Sequence, residues 1–445
     1  MSVPSLSLPF LTEEAARAAS TAAGEPAWRL DARLDALARV ATLPGEPNQL
    51  FTPYLDLRAT RFGSVRLTGG ARSVVDGGTL PDGASALVDI DPTTARRVIG
   101  PEAGRAGVVI ADLATALASP VGGMLAPLEA DDSLPVDDPF GQVARALSDL
   151  DLVIAVPAGV RLEQPIVVRW SAGPAGTVSV GRTWVVLGEG ASARILEEHL
   201  PDTPDADPAT TQRVWWDTVE VVLGDGASLE VAALQDFDPD VIAVVNRDAT
   251  LGEEGQLRWA LASLGAQLHR SRIDNRLVGR GSTVHQAEIG FGRGSQLFDL
   301  TSYTRHVGTD TTGDLLSKGV FTDRSRGYIK GLIEITRAAT GTDSYLGEFG
   351  MLLTKRSRSV TIPSLEIDQP NVRRAAHSSS VGPIDEAQVF YLMSRGVDRD
   401  AARRMIVLGF LEPVVARIPL PDVQDRLRGL LEARWPAAEA VAAAA

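Results

Sequence analysis

The sequence predicts a mainly β protein in which a solenoid of short strands is flanked by helical regions at both ends. Between Leu152 and Ile367, short runs of Val, Ile and Leu alternate with turns that contain Gly and Asp, and no helical period is sustained. A degenerate unit with glycine at its turn recurs in this part of the chain. Apolar residues at helical spacing precede it and follow it. These three observations together favour the solenoid.

The recurring unit reads VLGEGASARI at its first occurrence and VLGDGASLEV at its second. Its glycines are 36, 28, 27 and 13 residues apart, at Gly188, Gly224, Gly252, Gly279 and Gly292. Such spacing suits coils that contribute short strands and have glycine at their corners. The pattern alone leaves open a β-sandwich with repeated hairpin turns.

Both ends of the chain carry helix signals. Thr12 is a candidate N-cap before two glutamates, and the segment WRLDARLDALARVATLP places leucines at helical spacing until Pro44. Near the C-terminus, Asp385–Arg395 is predicted to be a helix, with Gly396 as its C-terminal cap. Asp398 can cap the next helix, and PDVQDRLRGLLEARW predicts a third.

These patterns divide the chain into four predicted regions. They are an N-terminal helical region (1–60), a mixed α/β linker region (61–150), a solenoid core (151–372) and a C-terminal helical domain (373–436). The pattern of residues 45–138 does not define a topology.

Composition excludes several classes of function. The net charge of -14 argues against nucleic acid, since binding a phosphate backbone requires clustered Lys and Arg. The chain has no cysteine, which excludes disulfides, thiolate nucleophiles and Cys-ligated clusters within it. It has no phosphate loop, so we do not expect it to hydrolyse ATP. With no signal peptide and no long apolar stretch, we expect a cytoplasmic protein that does not enter the membrane.

Because the chain has no cysteine, its five histidines are the remaining candidates for soft metal ligands. His377 stands before three serines, where an irregular segment gives way to a helix. His199, His269, His285 and His306 are scattered along predicted strands, where a lone histidine is more often hydrogen-bonded or exposed than a ligand. Taken from the residues alone, His377 also favours a structural role.

Two long segments resemble the SufB/SufD family of iron–sulfur cluster assembly proteins. In PSLEIDQPNVRRAAHSSSVGPIDEAQVFYLMSRGVDRDAARRMIVLGFLEPV, an LEI strand leads to a His-containing turn and then to VG, FYL and SRG. The second segment is ALSDLDLVIAVPAGVRLEQPIVVRW, and the N-terminal tryptophan helix followed by YLDLRATRF is a weaker match. With the glycine-cornered middle, the resemblance covers roughly residues 140 to 435.

The resemblance implies a right-handed parallel β-helix of the SufBD type, with helical regions at both ends. It also implies a scaffold subunit of the SUF system that is not itself an enzyme. Such a subunit pairs with SufB through the β-helix and carries the SufC ATPase on its C-terminal helices, while a cysteine desulfurase system supplies sulfur. We expect no cofactor in the isolated chain and a transient iron–sulfur cluster in the complex. Whether a flavin binds the complex stays open.

Within the family, the chain resembles SufD rather than SufB. SufB supplies a cysteine from a segment that matches TDSYLGEFGMLL, where this chain has Glu348, and SufB has a glutamate where this chain has Ser378. We interpret Glu348 as a surface carboxylate. SufD relatives often have a cysteine where this chain has Ala375. His377 is therefore the one soft ligand carried over, and we predict that it binds the iron of a nascent cluster or carries protons at the SufB interface.

Two other functions compete with this prediction. A β-helix carbohydrate-active enzyme, either a lyase or a hydrolase, would need a secretion signal and paired carboxylates or calcium ligands on one solenoid face. The sequence shows none of these features. A SufB-like subunit that binds a cluster unaided is disfavoured by the missing cysteines.

Overall fold

The computed structural model describes residues 7–44, 57, 60–69, 72–125, 128, 135–202 and 212–435. From residue 150 onward, successive strands alternate between two sheets, so each coil adds one strand to each sheet. The solenoid has about 8 coils, with helices at both ends. The predicted fold class is confirmed. The β-sandwich alternative is wrong, because the stacked strands pair in parallel with strands one coil away.

Sheet A has 10 strands within the described ranges. In spatial order they are β20 (Arg358–Ile367), β18 (Arg326–Ile335), β16 (Leu297–His306), β14 (Leu268–Leu277), β12 (Val241–Leu251), β10 (Arg213–Leu223), β8 (Thr177–Leu187), β6 (Leu150–Val156) and β5 (Val109–Asp112), with β1 (Arg66–Leu67) beside β8.

Sheet B has 11 strands in the same described part. In spatial order they are β2 (Val74–Asp76), β4 (Ala95–Ile99), β3 (Ala86–Ile90), β7 (Ile166–Trp170), β9 (Ser192–His199), β11 (Ser228–Gln235), β13 (Gln256–Ser263), β15 (Thr283–Gly292), β17 (Thr312–Phe321), β19 (Asp343–Leu352) and β21 (Arg374–Pro383). The last strand extends beyond residue 372, where the sequence placed the end of the solenoid core. Strands β1 to β5 extend the two sheets into the predicted linker region.

Four of the five repeat glycines lie one above another at the same corner of successive coils. The amide of Gly224 donates to the carbonyl of Leu187, and the amide of Gly252 donates to that of Leu223, each at 2.9 Å. A Cβ on Gly224 would lie 2.9 Å from the amide nitrogen of Glu189 in the coil below, so only glycine fits there. Gly308 continues this stack, whereas Gly292 ends β15 and belongs to a different corner. The spacing of 13 residues therefore separates two corners of one coil.

The space between the two sheets changes character along the solenoid. In the N-terminal coils it is filled by a large apolar cluster that includes Trp215, Val231 and Leu257. Toward the C-terminal coils, buried polar side chains replace many of the apolar ones. There the amide of Asn275 donates to Thr304 Oγ1 at 3.2 Å, and Ser302 Oγ donates to the Gln286 side chain at 3.1 Å.

Eight α-helices are found among the described residues. They are α1 (Glu13–Ala23), α2 (Ala27–Thr42), α3 (Pro101–Arg105), α4 (Leu113–Leu117), α5 (Pro139–Leu147), α6 (Glu386–Ser394), α7 (Arg399–Val415) and α8 (Pro421–Ala433). The predicted caps are confirmed: Thr12 Oγ1 accepts from the amide of Ala15, Asp398 accepts from that of Ala401, and Gly396 has a φ of 91° after α6. None of the helices in the described part is both long and apolar enough to cross a membrane.

Helices α1, α2 and α5 cover the outer face of sheet A. Phe140 and Val143 of α5 pack against Val180 and Trp216, and the Trp216 indole donates to the carbonyl of Phe140 at 2.7 Å. Two arginines of α2 are also buried. Arg29 forms an ion pair of 2.8 Å with Asp151 of β6. These contacts attach the N-terminal helices to the solenoid.

Helices α7 and α8 cover the outer face of sheet B. Val407, Leu411 and Val414 of α7 and Leu427 of α8 lie in one apolar cluster with alanines and leucines of the sheet. Pro413 lies inside α7, which continues to Val415 rather than ending at the proline. Helices thus cover the outer faces of both sheets, and the strand edges of the last coil remain uncovered.

The glycine corner provides a test of the fold. A Cβ on Gly279 would overlap the backbone of Gly252 and Glu253, so Gly279→Ala should lower the free energy of unfolding by about 2 kcal/mol or more. Gly409→Ala is the control, because Gly409 lies in α7 with open space around it and alanine favours a helix by about 1 kcal/mol. Chemical denaturation of both variants measures the effect. Equal stability of the two variants would contradict the stacked corner.

Candidate functional site at the open end of the solenoid

Strands β20 and β21 form the open C-terminal end of the solenoid. Strand β20 pairs with β18 and β21 pairs with β19, and no described strand pairs with their outer edges. Their residues are mostly half-buried or exposed, whereas the strands of the preceding coils are mostly buried. Each free edge presents a row of backbone N–H and C=O groups that can pair with another chain.

His377 lies within β21, so its predicted position in a turn before a helix is wrong. The segment is extended because β21 pairs in parallel with β19 over ten residues. His377 lies opposite Leu346, and register partners in parallel strands point to the same face. Leu346 is buried between the sheets, so the His377 side chain lies on the inner face. It is exposed, since no further coil covers it.

Glu348 is buried, which corrects its interpretation as a surface carboxylate. It lies in β19 with only 1% of its surface exposed. Apart from the amide of Ile362, no donor in the described chain reaches its carboxylate. Gly331 provides the room, since a Cβ there would lie 2.7 Å from Glu348 Oε1. No local pattern predicts this burial, because strand alternation assigns Glu348 to the inner face only once the register is known.

Burial changes the protonation of two inner carboxyl groups. Burial, with a smaller effect of the Glu288 charge, raises the pKa of Glu348 to about 8. Burial likewise raises the pKa of Glu288 to about 7. Glu288 accepts from Ser317 Oγ at 3.4 Å, and Ser317 lies opposite both glutamates in the register. Glu348 therefore carries a protonated carboxyl group on β19, the strand that pairs with the strand of His377.

The other four histidines all lie in strands, as predicted, but their environments differ. His306 is hydrogen-bonded to Thr311 at 2.7 Å and to Ser344 at 3.1 Å, and His285 is partly exposed beside an aspartate. His199 and His269 are buried, and burial lowers the pKa of His199 to about 4 and that of His269 to about 3. The expectation that lone histidines are hydrogen-bonded or exposed is wrong for His199, which is buried and whose two ring nitrogens have no hydrogen-bond partner in the described part of the chain.

The C-terminal helices expose large apolar side chains next to the open end. Phe390 is 72% exposed and Tyr391 is 58% exposed on α6, and Met405 on α7 is also exposed. On the opposite side of α6, Val389 is fully buried. Met393 follows Val389 at the four-residue spacing that predicts one helix face, but the structure leaves Met393 exposed. The exposed residues form what we call the α6–α7 patch: Phe390, Tyr391, Met393 and Met405.

Comparisons with known proteins agree with this architecture. Residues 169–410 match the family described as SUF system FeS cluster assembly, SufBD core domain. The chain is 27% identical over 421 residues to the iron–sulfur cluster assembly protein SufD of Bacillus subtilis, covering 92% of this chain and 94% of that protein. It is 26% identical over 389 residues to a SufBD family protein of Mycobacterium bovis, covering 86% of each. A Staphylococcus epidermidis SufBD family protein is 26% identical over 284 residues, 64% of this chain and 60% of the relative.

The fold is a parallel β-solenoid, and more than half of the chain matches the SufBD core. These two findings together define the class of protein. The chain belongs to the SufB/SufD family of iron–sulfur cluster assembly proteins. Within that family it is SufD-like, because its similarity to the Bacillus subtilis SufD extends over nearly the whole of both chains. The family predicted from the sequence motifs is confirmed, and the carbohydrate-active enzyme loses its support.

The buried carboxyl group of Glu348 predicts a pH dependence of stability. Between its ordinary pKa of 4.5 and about 8, the folded chain keeps a proton that the unfolded chain has released, so the free energy of unfolding falls as pH rises through this window. The full shift corresponds to at most roughly 5 kcal/mol. Glu348→Gln should remove this loss and be more stable than the parent chain at pH 9.

Denaturant unfolding at several pH values from 5 to 9 measures this difference. Glu366→Gln is the control, because Glu366 is an exposed glutamate on the neighbouring strand β20. A difference between the Glu348 variant and the parent chain that stays constant across the pH range would contradict the buried, protonated carboxyl group.

Proposed function

We propose that this protein is a non-catalytic SufD-type scaffold subunit of a SufBCD complex that assembles iron–sulfur clusters. The observation that carries the proposal is the open end of the solenoid, where two unpaired strand edges lie beside an exposed histidine. The absence of cysteine adds a constraint, since a nascent cluster would need thiolates from another chain.

The edges of β20 and β21 are the proposed contact with SufB. A second β-helix could continue both sheets across these edges, because unpaired backbone groups of one strand bind those of another. The exposed apolar residues Val381 on β21 and Ile367 on β20 would add buried area to such an interface. Pairing here would also close the open end over His377.

The α6–α7 patch is the proposed contact with the SufC ATPase. An exposed aromatic pair on a helix whose other side is buried is typical of a protein interface. Val389 of α6 lies in the same apolar cluster as residues of α7 and α8, so the helix that carries most of the patch is anchored to the fold. The cysteine desulfurase system would act on the complex through its other subunits, and flavin binding and cytoplasmic location stay predictions.

His377 is the proposed functional residue at the SufB interface. A neutral imidazole binds iron well, and imidazole is also a side chain that commonly transfers protons. The nascent cluster is the cargo of the complex, so His377 would contact it transiently. The protonated Glu348 carboxyl group, one strand further in, is a second candidate proton source for the same step.

Replacement of His377 tests this role. His377→Gln keeps a polar side chain but removes the basic imidazole, so cluster delivery should fall by about tenfold or more. The measurement is cluster transfer to an apo-acceptor by the reconstituted complex. Ser380→Ala, an exposed position on the same strand, is the matched control and should deliver clusters normally.

Subunit stoichiometry must be measured alongside, because a complex that falls apart would also lose delivery. We expect the His377 variant to retain SufB, SufC and ATP hydrolysis. Normal delivery by this variant in an intact complex would assign His377 a structural role only.

The α6–α7 patch gives an independent prediction. The double variant Phe390→Ser and Tyr391→Ser removes two exposed aromatic side chains without opening the core, so the fold should persist while co-purification of SufC falls at least about tenfold. SufB should still co-purify. Val278→Ser, another exposed apolar position on a solenoid turn, is the control. Undiminished SufC recovery from the double variant would remove this surface from the proposal.

A further inference from the structure

A cluster of three metal-ligand side chains lies inside the N-terminal half of the solenoid, far along the stack from the open end. Glu197 and His199 are two residues apart on β9, so both point between the sheets. Asp217 points toward them from β10 in the facing sheet. One ligand atom of each residue lies within 4.8 Å of the other two, and all three residues are buried.

The polar atoms of this cluster are not satisfied by the surrounding protein. Neither ring nitrogen of His199 has a hydrogen-bond partner among the described residues, and its Nε2 lies 3.5 Å from Glu197 Oε1. The carboxylate of Asp217 is completely buried, and apart from the amide of Thr218 no donor in the described residues reaches it. Buried polar groups without partners are rare, because each forfeits the hydrogen bonds that it makes with water.

The charges of the cluster also lack balance. Arg247 forms an ion pair with Glu197 at 2.5 Å, which neutralises one carboxylate. Asp217 forms no ion pair among the described residues. A cation between Asp217 and His199 would supply the missing counter-charge.

The side chains around His199 and Asp217 leave small unfilled spaces. A cavity of about 10 Å³ lies beside His199, and its lining is mixed: Gln235, Arg247 and His269 are among its polar residues, and Ala233, Val245, Leu261 and Ala262 are its apolar ones. This volume is about that of one water molecule, which could complete the coordination of an ion. Gly181 opens room on the other side, since a Cβ there would lie 2.8 Å from Asp217 Oδ1.

We propose that Glu197, His199 and Asp217 bind one divalent first-row transition-metal ion inside the solenoid. One imidazole with two carboxylates is a ligand set that suits Zn²⁺ or Fe²⁺ and is poor for Mg²⁺, which retains its water and prefers oxygen ligands. Ligand atoms around a tetrahedral zinc ion lie about 3.4 Å apart, so small side-chain rotations would close the cluster on the ion. The site is separate from His377 and does not depend on the proposed assembly function.

The enclosed position determines how the site must be tested. The full-length, tag-free chain should be produced in medium supplemented with Zn²⁺ or with Co²⁺, so that the ion is present while the solenoid forms. Dialysis against a chelator then removes ions from surface groups. We expect about one equivalent of metal per chain by elemental analysis, and visible ligand-field absorption from the Co²⁺ form.

Two variants locate the ion. Asp217→Asn keeps the size of the side chain and removes its charge, and His199→Gln removes the imidazole. Each should lose most of the bound metal, whereas His285→Gln, which changes a partly exposed histidine, should retain it. Asp217→Asn is the safer variant for folding, because it removes a buried charge that has no partner. Circular dichroism verifies the fold of each.

Two results would overturn the proposal. One is a parent chain that retains less than about a tenth of an equivalent of Zn²⁺ and of Co²⁺ after dialysis, in which case the space holds water. The other is equal retention by the parent chain, Asp217→Asn and His199→Gln. Because the measurement is metal content of the isolated chain, a failure here leaves the assembly function untouched.

Discussion

The parallel hydrogen bonds between successive coils are the constraint on which the rest of the structure depends. Every strand from β8 onward pairs with the strand one coil before it, so each coil must repeat the path of its predecessor. Side chains that share a register position therefore form columns, and corners must bring backbone close to backbone. Gly224, Gly252 and Gly279 meet that condition because a Cβ would overlap the coil below. A solenoid built this way can only end in unpaired edges.

The helical regions decide which surfaces remain available. Apolar outer faces of both sheets would aggregate if exposed, and α5 closes sheet A as α7 and α8 close sheet B. The buried ion pair Arg29–Asp151 fixes the orientation of α2 on the solenoid, since a buried charge is tolerated only in contact with its partner. The edges of β20 and β21 and the α6–α7 patch are what this covering leaves for partners.

Three carboxyl groups buried inside the solenoid have their charge accommodated in different ways. Glu197 forms an ion pair with Arg247, Glu348 stays protonated because burial raises its pKa to about 8, and Asp217 has no ion-pair partner among the described residues. The first carboxyl group is balanced by a cation and the second by a proton. The third needs either a proton or a metal ion, which is why the inner cluster and the open end are chemically different sites in one fold.

The sequence by itself determined the repeat, the helical ends and the family. Corner glycines and caps such as Thr12 and Asp398 act through local backbone geometry, so they are readable without a fold. Only the tertiary structure decided that His377 lies in an edge strand, and that Glu348 and the pair Glu197 and Asp217 point inward. Which side chains face each other across the two sheets depends on the register of parallel strands that are far apart in the chain. A shift of one residue would turn every side chain to the other face, and no local pattern fixes that register.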